Sequence, residues 1–162
     1  MAKRRIYIPI NPAKYSGRYP IVLKSSWEEF FATNYCDNDP TCIDWSYEPW
    51  RIPYRNPVTG RQTVYIPDFL VSFKCNNGQI RCALVEIKPA HEALPEHARN
   101  ARDAANIACN LAKWEAARFW CERRRNVEFV VRTEKELFAG GQNIKPRKRQ
   151  VKPYAPRRVK RV

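Results

Sequence analysis

The alternation of apolar and polar residues predicts two β-strands, over residues 62–73 and 80–88. Asn76-Asn77-Gly78 separates them and has the composition of a tight turn, so we expect the two strands to pair antiparallel. Residues 43–55 form a further aromatic and extended run, whose prolines favour a position at the edge of a sheet. These runs together predict a three-strand antiparallel meander.

Apolar residues at helical spacing predict helices on both sides of this meander. The first helix begins at Ser25 or Ser26, each followed three residues later by a glutamate, as in a capping box. A long helix covers roughly residues 96–125, followed by a short strand at 127–131 and a second capping box at 133–136. The order helix, three strands, helix, strand indicates an α/β fold with a mixed central sheet flanked by helices.

The net charge of +14 is concentrated at the two ends of the chain. Residues 1–18 contain five Lys or Arg and residues 142–162 contain nine, with no acid in either stretch. This distribution predicts a basic extended arm at 1–23, a domain at 24–141 and a basic, Pro-containing tail at 142–162. Basic arms of this kind commonly bind nucleic acid, and the alternative is a tail that only keeps the protein soluble.

Other features of the composition narrow the class of protein. The sequence contains no run of about 18 apolar residues, so we expect no membrane span. Six cysteines without a Cys-x-x-Cys pair, and without the apolar segment of a secretory signal, predict free thiols and no structural zinc. Cys75 and Cys82 flank the predicted turn, which leaves a disulfide between them open.

Two acids and a lysine are predicted to meet at one end of the hairpin. Asp68 lies near the start of its first strand, while Glu86 and Lys88 share one face near the end of the second. These ends are neighbours in an antiparallel pair, and such a group suits a divalent metal and a polarised water. The alternative is an exposed ion pair, which contributes little to stability. Glu86 follows the apolar run Ala83-Leu84-Val85, however, and an acid in that position is partly buried.

Pro67-Asp68 and Glu86-Ile87-Lys88, preceded by an acid on the first helix, resemble the motif of the PD-(D/E)xK nuclease superfamily. The resemblance implies a restriction-endonuclease-like core and a Mg²⁺ or Mn²⁺ cofactor. It implies that Lys88 assists the attacking water and that the main-chain carbonyl of Ile87 is a further metal ligand. The implied metal-binding side chains are Glu28, Asp68 and Glu86, with Glu29 as the other choice for the helix acid.

A narrower resemblance rests on short motifs in a fixed order. These are Ser26-Trp27-Glu28, Pro67-Asp68-Phe69, Glu86-Ile87-Lys88-Pro89, Lys113-Trp114, Trp120-Cys121 and Thr133-Glu134 with Leu137. They resemble the head completion proteins of tailed phages related to T4, which are similar to the endonuclease subunit of Tn7-type transposases. The resemblance implies an endonuclease that trims packaged double-stranded DNA before tail joining. It also implies phage head or neck proteins (portal or connector) as partners, in the host cytoplasm during assembly or at the head–tail junction of the virion.

Basic residues outside the acid cluster are the candidates for contacts with DNA phosphates. They are Lys113 on the long helix, Arg123, Arg124 and Arg125 in its last turn, and Lys145, Arg147, Lys148, Arg149, Arg157 and Arg158 in the tail. Two alternatives to an active nuclease stay open. One is a structural neck or portal-associated protein with an idle site, and the other is a non-catalytic nucleic-acid-binding module.

Overall fold

The computed structural model describes residues 5–139. In this part of the chain the strands are β1 (Arg5–Tyr7), β2 (Ile21–Leu23), β3 (Cys42–Tyr47), β4 (Ile52–Arg55), β5 (Gln62–Tyr65), β6 (Phe69–Lys74), β7 (Ile80–Ile87) and β8 (Val127–Arg132). The α-helices are α1 (Ser26–Phe31), α2 (Ala101–Glu122) and α3 (Glu134–Leu137), and a π-helical segment, Ala32–Asp37, continues α1. No helix of this part is long and apolar enough to cross a membrane.

A four-stranded mixed sheet is the centre of the described domain, in the order β3-β6-β7-β8. Strands β3, β6 and β7 pair antiparallel, whereas β8 runs parallel to β7. The parallel pair follows from the connection, because α2 crosses over the sheet between β7 and β8. The predicted α/β fold with a mixed sheet and flanking helices is thereby confirmed.

The two faces of this sheet are buried by different elements. Phe31 from α1 packs against Trp45 and Phe69 on one face, within a core that also includes residues of β1 and β2. Trp114 and Ala117 of α2 pack with Leu84 of β7 on the other. The sheet is therefore covered on both sides, as the apolar character of β7 requires.

The predicted strands at 43–55 and 62–73 are each wrong in one respect, because each is two strands in two different sheets. Glu48 adopts a φ of 50°, a left-handed conformation that ends β3 before Pro49. Pro67 lies between β5 and β6 and lacks the N–H that a continuous strand would use. As a result β4 and β5 form a separate two-stranded sheet, and α2 packs against it together with β7.

The predicted extended arm at 1–23 is also wrong for the residues that the structure describes, since 5–23 pack into the domain. Strand β1 pairs antiparallel with β2, and Ile21 and Leu23 of β2 are buried. The buried carboxylate of Asp37 accepts hydrogen bonds from Tyr7 OH at 2.9 Å and from the main-chain N–H of Asn11 at 2.8 Å. The stretch is extended in sequence pattern but fixed in place by apolar burial and by this buried acid.

The helix boundaries agree with the predictions at α1 and α3. Ser25 caps α1 by accepting from Glu28 N–H, and Thr133 with Glu136 forms the predicted capping box of α3. The long helix is shorter than predicted, because Asn100 caps it by accepting from Asp103 N–H. The predicted tail at 142–162, and Gly140-Gly141 before it, lie outside the described residues.

The thiols of the described part are free, as predicted. Cys82 lies opposite Ser72 in the β6–β7 ladder, while the N–H of Cys75 bonds the carbonyl of Gln79 in the turn. The two cysteines therefore do not face each other across the hairpin.

Candidate active site

Asp68 and Glu86 lie side by side in the central sheet, where β6 begins and β7 ends. Phe69 pairs with Val85, so the residue before β6 and the residue after Val85 are neighbours across the ladder. Asp68 Oδ2 accepts a hydrogen bond of 2.8 Å from the N–H of Ile87. This bond fixes the carboxylate of Asp68 to the end of β7, as the antiparallel hairpin predicted.

Glu86 is buried, with 6% of its surface exposed, and two groups contact its carboxylate. The phenol of Tyr65 donates to Oε2 at 2.7 Å. The ammonium of Lys88 lies 3.7 Å from Oε1, and it also approaches Glu92 at 3.9 Å. Glu86 and Lys88 thus share one face of β7, with the lysine towards solvent.

Glu28 of α1 is the helix acid that belongs to this cluster. It is 7% exposed and accepts from Tyr47 OH at 2.7 Å and from the main-chain N–H of Lys24 at 2.9 Å. Glu29 instead forms a surface ion pair with Arg5 at 2.8 Å. The structure thus places Glu28, and not Glu29, beside the sheet acids.

The three carboxylates repel one another in a site of low polarity. Burial raises the pKa of Asp68 well above its ordinary value, and the charges of Glu86 and Glu28 raise it further. Burial also raises the pKa of Glu86, although Lys88 and the hydrogen bond from Tyr65 act in the opposite direction. The arrangement is electrostatically costly as it stands, which is typical of a functional site.

Two buried tyrosines supply hydrogen bonds to the acids. Burial raises the pKa of Tyr47, and its bond to Glu28 raises it further. Burial and the charge of Glu86 do the same for the pKa of Tyr65. Both phenols therefore remain protonated donors over the whole physiological pH range.

The side chain of Lys88 lines a cleft between the end of β7 and α2. The cleft has a volume of about 260 Å³, and Lys88 and Lys113 line it together with Arg99 and Asp103. Arg99 and Asp103 form an ion pair of 2.7 Å within it. Lys113 lies close enough to Glu86 for its charge to lower the pKa of that acid. The structure therefore brings Lys113, as well as Lys88, next to the predicted cluster.

The chemistry of the cluster fits a hard divalent cation. Asp68 and Glu86 offer adjacent, mutually repelling carboxylates, and such a cation prefers oxygen ligands and would relieve their repulsion. Within residues 5–139, no three His, Cys, Asp or Glu side chains form a ready-made metal-binding group. Tyr47 and Tyr65 each hold one glutamate oxygen. The roles of Asp68, Glu86, Glu28 and the Ile87 carbonyl as metal ligands all stay predictions.

The predicted phosphate-binding arginines lie elsewhere. Arg123, Arg124 and Arg125 follow the last residue of α2, about 15 Å along the helix axis from Lys113. Arg124 stacks over the rings of Trp120 and Trp50 at 4.1 and 5.2 Å, and it donates to the carbonyl of Trp120 at 2.8 Å. Arg124 therefore packs this end of the domain and is not brought to the acid cluster. The predicted tail residues, from Lys145 to Arg158, lie outside the described part of the chain.

The sequence pattern did not identify Tyr47 and Tyr65 or the cation of Lys24. Lys24 forms an ion pair with Glu48, and its pKa is raised: burial lowers it, but Glu48, Asp68 and Glu28 together outweigh this. A tyrosine near the end of a predicted strand is common, so nothing in the pattern singles out these two.

Comparison with known proteins agrees with the fold. No curated protein sequence matches the chain. The family described as TnsA-like endonuclease N terminal matches residues 39–134, which is more than half of the chain. The matched region contains β3 to β8 and α2, and with them Asp68, Glu86 and Lys88. The family is one of nucleases, so the match indicates a nuclease function and a DNA substrate, and the chain belongs to the TnsA-like endonuclease family.

Proposed function

We propose that this protein is a metal-dependent DNA endonuclease whose catalytic residues are Glu28, Asp68, Glu86 and Lys88. The observation that carries the proposal is the neighbouring pair of partly buried Asp68 and buried Glu86, which lies at one end of strands β6 and β7 with Lys88 3.7 Å from Glu86. Stability alone does not account for two neighbouring carboxylates at this place, because burial raises the pKa values of both acids and the charge of Glu86 raises the pKa of Asp68 further. The family match supports the same class of reaction.

Asp68, Glu86 and the carbonyl of Ile87 are the proposed ligands of Mg²⁺ or Mn²⁺, with Glu28 as a further ligand. When bound, such an ion polarises a phosphodiester and lowers the pKa of its water. Lys88 lies at the mouth of the cleft, where its ammonium orients the attacking water and stabilises the negative charge that develops on the phosphate. Lys113 lines the same cleft and pairs with a neighbouring phosphate.

We further propose that the enzyme acts in phage head completion, where it processes packaged DNA before tail joining. The support is the order of short motifs from Ser26 to Leu137. The proposed partners are double-stranded DNA and phage head or neck proteins (portal or connector). The proposed locations are the host cytoplasm during assembly and the head–tail junction.

One observation favours a second candidate, a neck protein with an idle nuclease site. In the described residues, Glu28 and Glu86 each accept a hydrogen bond from a tyrosine, and no ready-made metal-binding group is present. A site of this kind is inactive if the bonds from the tyrosines hold the glutamates in orientations in which their other oxygens do not bind a metal. The two candidates differ in whether purified protein cuts DNA.

The test is cleavage of linear and circular duplex DNA by the wild type, Asp68→Ala and Lys88→Ala, in Mg²⁺ and in EDTA. The endonuclease proposal predicts cutting by the wild type in Mg²⁺ alone and none by either variant. Intact DNA with the wild type in both Mg²⁺ and Mn²⁺ would sink it. Infectious particles assembled with Asp68→Ala would show that cutting is dispensable and favour the structural candidate.

A further inference from the structure

A second cleft adjoins the acid cluster on the side away from α2. It has a volume of about 460 Å³, and its lining includes Arg18, Arg51, Tyr47 and Glu48. Tyr47 connects this cleft to the cluster directly, because its phenol donates to Glu28 at 2.7 Å. Ile66, two residues before Asp68, lines it as well. The cleft therefore lies next to the acid cluster, from which Tyr47 separates it.

The topology of the sheet places the acids between the two clefts. Tyr47 pairs with Phe69, and Phe69 pairs with Val85. The end of β3, the start of β6 and the end of β7 therefore lie side by side in that order, and we call this row of strand ends the edge. The second cleft lies at the β3 end of this edge, and the cleft with Lys88 and Lys113 lies at the β7 end. Strands are spaced about 4.8 Å apart, so the edge from β3 to β7 is about 10 Å long. A DNA strand carries one phosphate per about 3.4 Å of helix axis, so a bound strand extends beyond the acids on both sides.

The charge of the second cleft suits an anion. Arg18 and Arg51 are exposed, and within residues 5–139 neither guanidinium takes part in an ion pair or a side-chain hydrogen bond. The acid in the lining is Glu48, whose carboxylate is already paired with Lys24. Two unpaired guanidinium groups next to a neutralised acid attract phosphate oxygens.

We propose that Arg18 and Arg51 form a second phosphate-binding subsite, which holds the DNA backbone on the β3 side of Asp68. Lys113 holds the backbone on the other side, so the bond to be cut is fixed between two anchored stretches. Arg51 lies within the family match, whereas Arg18 comes from the segment before it. The packed N-terminal segment thereby supplies part of the substrate site. This inference rests on the proposed function, since it takes DNA as the substrate.

The experiment measures binding of duplex DNA against salt concentration, with Asp68→Ala as the parent so that no cutting interferes. Arg18→Gln with Arg51→Gln removes two phosphate contacts, so the slope of log affinity against log salt should fall by about 1.8. The matched control is Lys74→Gln with Arg81→Gln, which removes the same charge. Both control residues are exposed and lie beside the hairpin turn, about 20 Å from the acids along β7. The control slope should equal that of the parent.

Thermal unfolding of both double variants checks that each is folded, which the exposure of all four side chains leads us to expect. An equal fall in slope for the two double variants overturns the subsite, because the effect is then one of net charge. An unchanged slope for Arg18→Gln with Arg51→Gln also overturns it, as does a parent that does not bind DNA. Failure of the proposed function is a separate result, since it is measured by whether the wild type cuts DNA in Mg²⁺ and Asp68→Ala does not.

Discussion

At the level of single residues, Tyr65 and Tyr47 position two acids of the candidate site. Each donates one hydrogen bond of 2.7 Å to a buried glutamate, and each leaves the second carboxylate oxygen to other partners. A hydrogen bond of this kind stabilises the charged form of the acid and fixes the orientation of its carboxylate. We infer that the phenols position the glutamates and take no direct part in bond cleavage.

Tyr65→Phe should therefore lower activity or metal affinity while the ring still fills its place in the core. The hydrogen bond from Tyr65 lowers the pKa of Glu86, so its loss should raise that pKa and move the acid limb of the pH–rate profile to higher pH. We expect activity or metal affinity to fall by about 10–100-fold. The measurement is the cleavage rate against pH and against Mg²⁺ concentration. Tyr54→Phe is the control, because Tyr54 is also buried and belongs to the same two-stranded sheet; an equal effect of both changes would contradict the positioning role.

The raised pKa of Asp68 has a consequence for stability in the absence of metal. Because the folded protein disfavours the ionised form, the unfolded chain releases this proton at lower pH than the folded one. The contribution of Asp68 is favourable below its ordinary value of 3.8 and is lost as pH rises towards the raised value. In metal-free buffer, Asp68→Asn should thus gain in free energy of unfolding relative to the wild type as pH rises from about 4 to 8.

Chemical denaturation at several pH values in EDTA measures this difference. Asparagine can still accept the bond from Ile87 N–H through its amide oxygen, so the comparison isolates the charge. Addition of Mg²⁺ should stabilise the wild type at pH 8 more than Asp68→Asn. A pH-independent difference between the two proteins would show that the carboxylate is not electrostatically strained.

Pairing of the site residues could be predicted from the sequence, but their surroundings could not. The alternation along 80–88 and the turn at Asn76-Asn77-Gly78 were sufficient to place Asp68 next to Glu86. The tyrosines could not be predicted, because Tyr47 lies 19 residues from its partner Glu28 and Tyr65 lies 21 from Glu86. Such contacts depend on how β3 and β5 pack in three dimensions, which periodicity does not encode.

The N-terminal segment, residues 5–23, differs more from its prediction than the other secondary-structure elements do. Apolar side chains of β2 enter the core, and Asp37 accepts from Tyr7 OH, from Ile10 N–H at 2.6 Å and from Asn11 N–H at 2.8 Å. The pKa of Tyr7 is raised to about 12 by burial, with the bond to Asp37 adding to the effect and a bond to Thr33 opposing it. One buried acid thus joins the segment to the π-helical end of α1.

Asp37→Ala should detach this segment and lower stability. Three hydrogen bonds to a charged carboxylate are lost, and each contributes about 1.5–3 kcal/mol, so we expect a loss of about 3 kcal/mol or more in the free energy of unfolding. Asp44→Ala is the control, because Asp44 also contacts the segment, through Ser16 Oγ at 2.8 Å, but at an exposed position. Urea denaturation measures both, and limited proteolysis near residues 5–23 reports detachment. Equal, small losses would mean that apolar packing alone holds the segment.

Among the secondary-structure elements, prediction from sequence failed where one predicted strand is in fact two. Residues 62–73 are rich in β-branched and aromatic residues throughout and predict one strand, yet the chain changes sheet at Ile66-Pro67-Asp68. The pattern reports which side chains are buried, and it is satisfied equally by one strand or by two that bury against different partners. The proline was the physical signal of the break, and the same is true of Pro49 after β3.

At the scale of the whole molecule, the excess of positive charge comes from the two ends of the chain. The net charge of +14 equals the basic residues of 1–18 and 142–162, and the stretch between them is neutral. Residues of the N-terminal stretch lie on the domain near the acids, as Arg18 does. The tail lies outside the described residues, so its role in DNA binding stays a prediction.

Deletion of residues 142–162 removes nine Lys or Arg and should flatten the salt dependence of DNA binding. The slope of log affinity against log salt should fall by about 0.9 for each phosphate contact that is lost. A tail of the same composition in scrambled order is the control, and it should restore the slope because such contacts carry no sequence information. If the deletion leaves the slope unchanged, the tail does not bind DNA phosphates.

The most direct test of the central claim is the single-turnover rate of DNA cleavage in Mg²⁺ by two matched variants, Asp68→Asn and Asp103→Asn. Both changes replace an aspartate by its neutral isostere beside the cleft that Lys88 lines, but Asp103 is paired with Arg99 and lies outside the acid cluster. If Asp68 is a catalytic metal ligand, Asp68→Asn should lower the rate at least about 100-fold, while Asp103→Asn should stay within about threefold of the wild type. A wild-type rate for Asp68→Asn, or an equal loss in both variants, would contradict this role.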